Sequence, residues 1–466
     1  MPLSSAAYFV FLASIFLLYW PVAKVRALSL AVVLFANYFF YAKYDLFYLG
    51  LIPAASTCDF LIGLALDRLG TRWLRRVLLT LSVALNVGIL ASFKYMPFLL
   101  ENYSAATGNA APEWHWTFPL GISFYTFQSL TYTIDIYRRD LKATRSYLAH
   151  LASVSFFPTT LAGPITRVGY LLPQLEKAKR LEPYDGGKAF FLIGLGLAKK
   201  LLIADFLAEN LVNRIFDLPK LYSGAEVLMG VYGYALQLYY DFSGYTNIAI
   251  GSALLLGLRL PENFNRPYAA VSVADFWRRW HISLSNWLRD YLYFSLPGLR
   301  SRWKIFTYGN LALTMIIGGL WHGASWNFVV WGALHGAALA LTRAWQAWRG
   351  KAPDSRWRRL GSTVLTAQFV CFAWVFFRAE TMAGAWDVLG QIASMTVSFA
   401  NISGPLAIVL GIAAVAHYLP GSWYEGSLRL YARAPFYAQA AALALLVIAI
   451  RYVSATGAAP FIYTRF

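Results

Sequence analysis

Long apolar segments recur along this 466-residue chain, and they constrain its fold more than any other feature. Each approaches the roughly 20 residues that a helix needs to cross hydrocarbon. They lie near residues 6–22, 28–42, 46–66, 76–99, 116–137, 147–163, 188–212, 224–257, 305–345, 361–378, 402–419 and 435–453. Because lipid offers no partners to backbone polar groups, these segments predict an all-α integral membrane protein with about a dozen membrane helices.

Composition supports the same fold class. Hydrophobic residues make up 59% of the chain and charged residues 13%, against about 25% charged residues in soluble domains. An ordinary soluble enzyme is therefore excluded, and we predict one multi-pass membrane domain over residues 1–466. The net charge of +18 favours membrane lipid or a phosphate-rich coenzyme as partner rather than nucleic acid. Basic clusters such as Arg68, Arg72, Arg75 and Arg76 mark expected cytoplasmic loops.

The segment 276–292 has a different pattern, because aromatic and leucine residues recur in it at helical spacing with basic residues between them. This pattern predicts one amphipathic helix that lies at a membrane interface. Arg278 and Arg279 would attract either anionic lipid or the phosphates of a substrate at the cytoplasmic mouth of a site. The sequence leaves both interpretations open.

The apolar segment 305–345 is too long for one membrane crossing, since 41 helical residues would extend about 60 Å. We predict a break at Gly318-Gly319-Leu320-Trp321-His322-Gly323, with loose packing because of its glycines. An ionisable side chain at such a break is a candidate functional group, which makes His322 the first candidate for catalysis. The alternative is a structural imidazole bonded to a carbonyl. His335 would face away from His322 on an ideal helix, so we expect it to have a packing role.

Six segments in order resemble one known family. They are Pro119-Leu-Gly-Ile-Ser-Phe-Tyr-Thr-Phe-Gln128, Phe156-Phe-Pro-Thr-Thr-Leu-Ala-Gly-Pro-Ile-Thr-Arg167, Tyr240-Asp-Phe-Ser-Gly-Tyr-Thr-Asn247, Asn263-Phe-Asn-Arg-Pro-Tyr268, Asp275-Phe-Trp-Arg-Arg-Trp-His-Ile-Ser-Leu-Ser285 and Trp321-His-Gly-Ala-Ser-Trp-Asn327. The chain from about residue 30 onward resembles the membrane-bound O-acyltransferases. The similarity is to the bacterial branch that contains the membrane subunits of alginate O-acetylation and of teichoic acid D-alanylation.

This resemblance implies a ring of helices around a tunnel in the bacterial plasma membrane. Re-entrant helices are expected beside the interfacial one, because the apolar segments between basic clusters do not always pair cleanly. The defining histidine of the family falls on His322, and its second polar position falls on His281, 41 residues earlier. The implied donor is acetyl-CoA, used as a substrate, with no bound cofactor and no metal. The implied acceptor is an extracytoplasmic polysaccharide, reached with a secreted or membrane-anchored acetyltransferase partner.

Two alternatives to acetyl transfer remain at this stage. Within the family, a carrier-protein thioester would supply D-alanine for teichoic acid. Outside it, a transporter or flippase without covalent chemistry would also suit a tunnel with ionisable groups.

Transfer from a thioester to a hydroxyl needs a base near neutral pH, where the unperturbed imidazole titrates, so His322 is the expected base. His281, Asn247 and backbone amides at the break are the candidate donors to the tetrahedral intermediate. Trp321 and Trp326 are expected to wall the tunnel. A serine nucleophile at Ser243 with Asp241 is the less favoured alternative, because the local pattern is not a nucleophile elbow.

An aromatic tail occupies residues 460–466, with the sequence Pro-Phe-Ile-Tyr-Thr-Arg-Phe. By composition it is an interfacial belt. It also resembles the terminal motif Phe-Ile-Tyr-Phe-x-Phe of this bacterial branch, although Thr464 replaces the central phenylalanine. That resemblance implies that Tyr463 carries the acyl group as an ester, with His322 as the base that activates its phenol.

Overall fold

All regular secondary structure in the described residues is helical, which confirms the all-α part of the predicted fold class, whereas the ring around a tunnel stays a prediction. The computed structural model describes residues 2–43, 47–114, 116, 121–160, 163–177, 180–299, 301, 303–350 and 355–453. These residues form two compact units. One comprises the described parts of 1–193 and 245–261, and the other comprises 194–244 and the described residues from 262 onward.

The first unit is built mainly from the N-terminal helices. They are α1 (Ala6–Val22), α2 (Arg26–Ala42), α3 (Phe47–Arg68), α4 (Arg72–Leu90), α5 (Met96–Thr107), α6 (Ile122–Arg138), α7 (Tyr147–Val154), α8 (Phe157–Thr160), α9 (Val168–Leu175) and most of α10 (Pro183–Leu197). A π-helical turn at Ala91–Tyr95 joins α4 to α5.

The second unit contains the remaining helices and the last four residues of α10. They are α11 (Asp205–Leu207), α12 (Asn213–Asp217), most of α13 (Gly224–Leu255), α14 (Val273–Trp277), α15 (Ile282–Trp287), α16 (Lys304–His322), α17 (Trp326–Arg349), α18 (Arg356–Arg378), α19 (Met382–Ala393), α20 (Gly404–Tyr418), α21 (Gly421–Arg433) and α22 (Phe436–Val453). Short π-helical segments occur at Ala198–Ala204, Ala208–Val212 and Leu288–Leu292, and 3₁₀ turns at Pro219–Leu221, Pro267–Ala269 and Tyr293–Ser295.

Helices occupy most of the described part of each predicted apolar segment. In the described residues, three helical stretches are long and apolar enough to cross a membrane, namely Leu49–Arg68, Arg72–Thr107 and Arg356–Arg378. The pair α20 and α21, bent by 94°, adds a fourth if it counts as one span, and three shorter helices are also apolar. Several apolar helices of the predicted kind are therefore confirmed, whereas the predicted dozen membrane crossings stay a prediction.

A buried carboxylate ties three helices of the first unit together. Asp59 on α3 is fully buried. Its Oδ1 accepts from Ser82 Oγ of α4 at 2.6 Å, and its Oδ2 accepts from Asn86 Nδ2 of α4 at 2.8 Å and Ser129 Oγ of α6 at 2.5 Å. Because buried polar groups are costly unless they are bonded, this network fixes how α3, α4 and α6 pack.

Arg75 has a structural role that its place in a basic cluster did not reveal. It lies in the first turn of α4 and is 6% exposed. Its guanidinium donates to the carbonyl oxygens of Leu66 and Leu69 at the end of α3, and to those of Ile136 and Tyr137 at the end of α6. The last carbonyls of a helix have no intrahelical partners and carry partial negative charge. One arginine therefore caps two helices at once.

We expect Arg75→Ala to destabilise the first unit by about 3 kcal/mol or more, because charged hydrogen bonds are lost and buried carbonyls are left unsatisfied. Thermal unfolding of the purified protein in detergent measures this loss. The neighbouring Arg76 is exposed, so Arg76→Ala is the matched control and should leave the midpoint nearly unchanged. Equal midpoints for the two variants would contradict the capping role.

Candidate active site

The helical hairpin of α16 and α17 positions His322. The predicted break is confirmed, since α16 ends at His322 and α17 begins at Trp326. The helix continues through Gly318 and Gly319, so the break lies at the C-terminal end of the predicted segment. Glycine allows the two backbones to approach closely here. A Cβ on Gly332 would meet the carbonyl oxygen of Met315 and lie 2.9 Å from the Cα of Ile316.

The expectation of loose packing at the break is wrong. A Cβ on Gly319 would meet the carbonyl oxygen of Phe328, and a Cβ on Gly323 would meet the Phe328 ring. At these glycines neighbouring parts of the chain approach closely, and the glycines do not provide conformational freedom. The reason is that deleting a side chain lets the neighbouring helix fill the space, as it does wherever interiors are close-packed.

His322 is enclosed by aromatic rings and is 3% exposed. The centroid of its imidazole lies 5.0 Å from that of Trp321, 5.2 Å from that of Trp331 and 5.2 Å from that of Phe377. All three pairs meet edge to face, a favourable geometry for aromatic pairs. These walls limit the rotamers of His322 and keep bulk water away from it.

The prediction of one interfacial helix over 276–292 is wrong. Helix α14 ends at Trp277, α15 begins at Ile282, and between them His281 has φ 41° and ψ 54°. A residue in this left-handed conformation interrupts an α-helix, and hydrophobic spacing does not reveal it. Trp280 is fully buried and packs on Phe264 and Trp374 at centroid distances of 5.1 and 5.2 Å. The aromatic residues of this segment face the protein interior.

Backbone pairing holds His281 in its conformation. The N–H of Ile282 donates to the carbonyl of Asn263 at 3.0 Å, and the N–H of Asn265 donates to the carbonyl of Arg279 at 2.9 Å. A left-handed non-glycine residue costs about 1–2 kcal/mol, which these hydrogen bonds on either side of His281 offset. The ring of Phe242 packs against the His281 imidazole at a centroid distance of 4.7 Å.

The structure brings the two predicted histidines together. The imidazole centroids of His281 and His322 lie 6.5 Å apart, and the Trp321 ring contacts both, at 6.1 and 5.0 Å. His281 is fully buried. Two enclosed imidazoles at this separation can both contact one small bound group, such as a thioester carbonyl under attack by a hydroxyl.

His335 packs behind this pair, as expected from its position. It is fully buried, and its Nδ1 accepts from the Trp277 indole N–H at 3.3 Å. Its ring lies 4.9 Å from that of Trp331, which in turn contacts His322. His335 therefore supports the Trp331 wall.

Other predicted residues are placed differently. Trp326 is 57% exposed at the start of α17, so most of its surface is not part of the aromatic enclosure. Asn247 lies on α13 in the part that belongs to the first compact unit, whereas both histidines belong to the second. Tyr463 and the tail 460–466 lie outside the described residues.

Arg278 and Arg279 share one acidic partner. Asp275 accepts from Arg278 at 3.3 Å and from Arg279 at 3.0 Å, and the Arg278 side chain is 71% exposed. One carboxylate against two guanidinium groups leaves a net positive charge at this surface. The pair with Arg278, whose guanidinium is largely solvated, contributes little to stability.

The ion pairing of Asp241 argues against the serine-nucleophile alternative. Asp241 forms an ion pair with Lys200 at 2.6 Å, and Lys200 also pairs with Asp205 at 2.7 Å. All three groups are buried, and breaking a buried pair is strongly destabilising. The arrangement favours the structural role for Asp241. In the described part of the chain, no group of three or more His, Cys, Asp or Glu is placed to hold a metal ion.

Sequence reasoning assigned no role to three residues that shape the site, namely Asn263, Trp331 and Phe377. Asn263 lies in one of the six segments, and that position was the available sequence signal. The structure shows that it is 1% exposed. Trp331 follows the break by a few residues. Phe377 comes from α18, and nothing in the local sequence relates it to His322.

Comparison with known proteins identifies the family. The profile of MBOAT, the membrane-bound O-acyltransferase family, matches residues 78–383. The chain is 40% identical over 393 residues to the probable alginate O-acetylase of Azotobacter vinelandii, covering 81% of this chain and 74% of that protein. It is 35% identical to the peptidoglycan O-acetyltransferase of Helicobacter pylori, over 79% of this chain and 74% of that protein.

A more distant relative is the teichoic acid D-alanyltransferase of Bacillus subtilis, 30% identical over 56% of this chain and 69% of that protein. Both histidines lie inside the matched region. The chain therefore belongs to the membrane-bound O-acyltransferase family and is an O-acyltransferase. Family membership favours the enzyme over the transporter alternative.

We expect Gly332→Ala to lower both stability and acyl transfer, because the added methyl forces α17 away from α16 and shifts Trp331 relative to His322. Overpacking of this kind costs about 1–3 kcal/mol. The thermal midpoint and the transfer rate of the purified enzyme report the two effects. Gly309 on α16 has open space around its Cβ position, so Gly309→Ala is the control and should preserve both. A Gly332→Ala enzyme indistinguishable from this control would refute the close contact.

Proposed function

We propose that this protein takes an acetyl group from cytoplasmic acetyl-CoA for O-acetylation of an extracytoplasmic polysaccharide. The observation that carries the proposal is the enclosed pair His281 and His322 in a chain of the O-acyltransferase family. Relatives named as alginate and peptidoglycan O-acetylating enzymes match over 81% and 79% of the chain and support both the acetyl group and a glycan acceptor. Alginate is the acceptor that the identity of 40% favours.

D-alanyl transfer is the second candidate. It is favoured by the relative from Bacillus subtilis, in which a teichoic acid D-alanyltransferase matches 56% of the chain. A carrier-protein thioester would then replace acetyl-CoA. The lower identity and coverage place this candidate behind acetyl transfer.

The proposed setting is the bacterial plasma membrane, with about a dozen helices in a ring around a tunnel, as the family resemblance implies. Support comes from the apolar helices, three of which are long enough to span a membrane in the described residues. In such a tunnel a cytoplasmic thioester and an external hydroxyl would meet at the histidine pair.

His322 would act as the general base. Its imidazole would take the proton from the acceptor hydroxyl, whose oxygen attacks the thioester carbonyl. The new C–O bond forms, the C–S bond breaks as the intermediate collapses, and the coenzyme A thiolate recovers the proton. Enclosure by Trp321, Trp331 and Phe377 keeps competing water from hydrolysing the thioester.

The tetrahedral intermediate would need hydrogen-bond donors. Asn247 was proposed from the sequence, and its Nδ2 finds no acceptor among the residues that the structure describes. Trp331 is a further candidate, since its indole N–H also has no acceptor within the described ranges and its ring lies 5.2 Å from His322. A buried donor without a protein acceptor is well suited to a substrate oxygen.

Arg278 and Arg279 would receive the phosphates of coenzyme A. The support is their net positive charge after pairing with Asp275 and the exposure of Arg278. Guanidinium groups suit phosphate because they offer paired donors. Attraction to anionic lipid headgroups uses the same chemistry.

We expect loss of transfer when His322 is replaced. Because the break is tightly packed, His322→Ala leaves a cavity, so His322→Gln is the informative variant: it keeps bulk and polarity but accepts no proton near neutral pH. A general base contributes about 10²–10⁴-fold, and the release of coenzyme A from labelled acetyl-CoA should fall by that range. His281→Gln should also lower the rate. Near wild-type transfer by His322→Gln, at equal abundance and midpoint, would exclude it as the base.

Acetyl delivery across the membrane would use Tyr463 and a secreted or membrane-anchored acetyltransferase partner. Coenzyme A is too highly charged to cross the bilayer, whereas an acetyl ester on a terminal tyrosine is neutral. His322 would remove the phenol proton, the phenol oxygen would attack the thioester carbonyl, and the thiolate would leave and be protonated. The partner would then move the acetyl group from the tyrosine ester to a glycan hydroxyl.

We expect Tyr463→Phe to abolish glycan acetylation, since the substitution deletes the hydroxyl and keeps the ring. Intact-mass analysis of the wild type with acetyl-CoA should show one acetyl adduct on the C-terminal peptide. Tyr452, exposed at the end of α22, gives the control: Tyr452→Phe should retain both adduct and activity. Normal glycan acetylation by Tyr463→Phe would return the tail to an interfacial role.

A further inference from the structure

Asn263 bonds three consecutive residues around the second histidine. Its side-chain Oδ1 accepts from the Ser283 N–H at 3.1 Å and from Ser283 Oγ at 2.8 Å, and lies 3.2 Å from His281 Nδ1. Its backbone carbonyl accepts from the Ile282 N–H at 3.0 Å. Asn263 is 1% exposed, so these bonds form away from water.

These contacts determine the tautomer of His281. A backbone N–H can only donate, so the amide atom facing Ser283 N must be oxygen rather than nitrogen. That oxygen carries no hydrogen, and its bond to His281 therefore requires a proton on Nδ1. A neutral imidazole has a single N–H, which leaves the lone pair of His281 on Nε2.

We propose that Asn263 is a positioning residue that holds neutral His281 as the Nδ1–H tautomer, with Nε2 as a proton or hydrogen-bond acceptor at the reacting centre. The catalytic role in this assignment rests on the proposed function, whereas the tautomer itself does not. It also revises the role expected for His281, because an Nε2 without a proton cannot donate to the tetrahedral intermediate. The donors to that intermediate must then come from elsewhere, with the Trp331 indole as a candidate in the same unit.

Asn263 also explains how His281 keeps an unusual backbone conformation. Left-handed conformations of non-glycine residues persist where surrounding bonds over-determine them. The bonds from residues 281, 282 and 283 all end on Asn263. The Ile282 bond goes to the backbone carbonyl, and the bonds from His281 and Ser283 go to the side-chain Oδ1, which a purely space-filling side chain would not provide.

The test uses the full-length protein labelled with ¹⁵N-histidine in detergent, together with kinetics. The His281 resonances are assigned as those missing from His281→Gln. We expect the wild type to show a protonated Nδ1 and an unprotonated Nε2 at neutral pH. Asn263→Asp keeps the acceptor oxygen and should keep this pattern, whereas Asn263→Leu should give mixed tautomers.

Kinetics separate positioning from bulk stability. Asn263→Leu should lower kcat roughly 10-fold or more, about 1.4 kcal/mol, with KM for acetyl-CoA nearly unchanged, and Asn263→Asp should recover most of kcat. The Ser285 Oγ donates to the carbonyl of Trp280 at 3.2 Å and makes no bond to Asn263 within the described residues, so Ser285→Ala is the control and should retain the wild-type pattern and rate. If Asn263→Leu does not fold, the wild-type spectrum and Asn263→Asp decide the matter.

A protonated Nε2 in the wild type, or an Asn263→Leu enzyme with the wild-type pattern and kcat, would overturn the positioning role. The outcome is distinct from failure of the proposed function. A protein that shows the expected tautomer but never releases coenzyme A from acetyl-CoA would refute acetyl transfer and leave the Asn263 assignment intact.

Discussion

The close backbone contact between α16 and α17 is the constraint on which the candidate site depends. Trp331 directly precedes Gly332, the residue that lies against Met315 and Ile316 of α16. The depth of that contact therefore sets how near the Trp331 indole comes to His322, the last residue of α16. Without a hydrophobic drive between helices in lipid, small residues and dispersion supply such contacts. The break that ends α16 at His322 is held by the same packing.

Hydrogen bonding of polar groups in apolar surroundings is a second constraint, and it acts in each unit. In the first unit Asp59 and Arg75 each join three helices through their hydrogen bonds. In the second, Asn263 bonds to His281 and Ser283 and so holds the chain around His281. An unsatisfied polar group in a low dielectric costs several kcal/mol, so each of these networks selects one arrangement. The free-energy cost of burying polar groups makes them rare in such a chain. The same cost means that each remaining polar group stabilises only the arrangement that satisfies its hydrogen bonds.

Sequence reasoning predicted the helices and the break because both follow from length and periodicity. The helix-length argument predicted a break within residues 318–323, and α16 ends in that segment, at His322. It failed at His281, because a positive φ leaves the hydrophobic spacing of 276–292 unchanged. It also misjudged the glycines at the break, since composition alone does not distinguish a flexible glycine from one that permits close approach. Phe377 contributes through tertiary contact from α18, which no local pattern encodes.

Near His281 the chain passes from a positively charged surface to an enclosed site. Arg278 is 71% exposed and His281 fully buried, three residues later. Three residues extend at most about 11 Å, so the cationic surface and the histidine lie close together along the backbone. A donor whose phosphates stay with the arginines would need only a slender thioester arm to reach the imidazoles. In the proposed reaction the aromatic walls would admit an uncharged acetyl thioester and would exclude a pyrophosphate, since an unpaired charge there would be desolvated without compensation. Selectivity for the reacting end of the donor would then follow from the enclosure that protects the base.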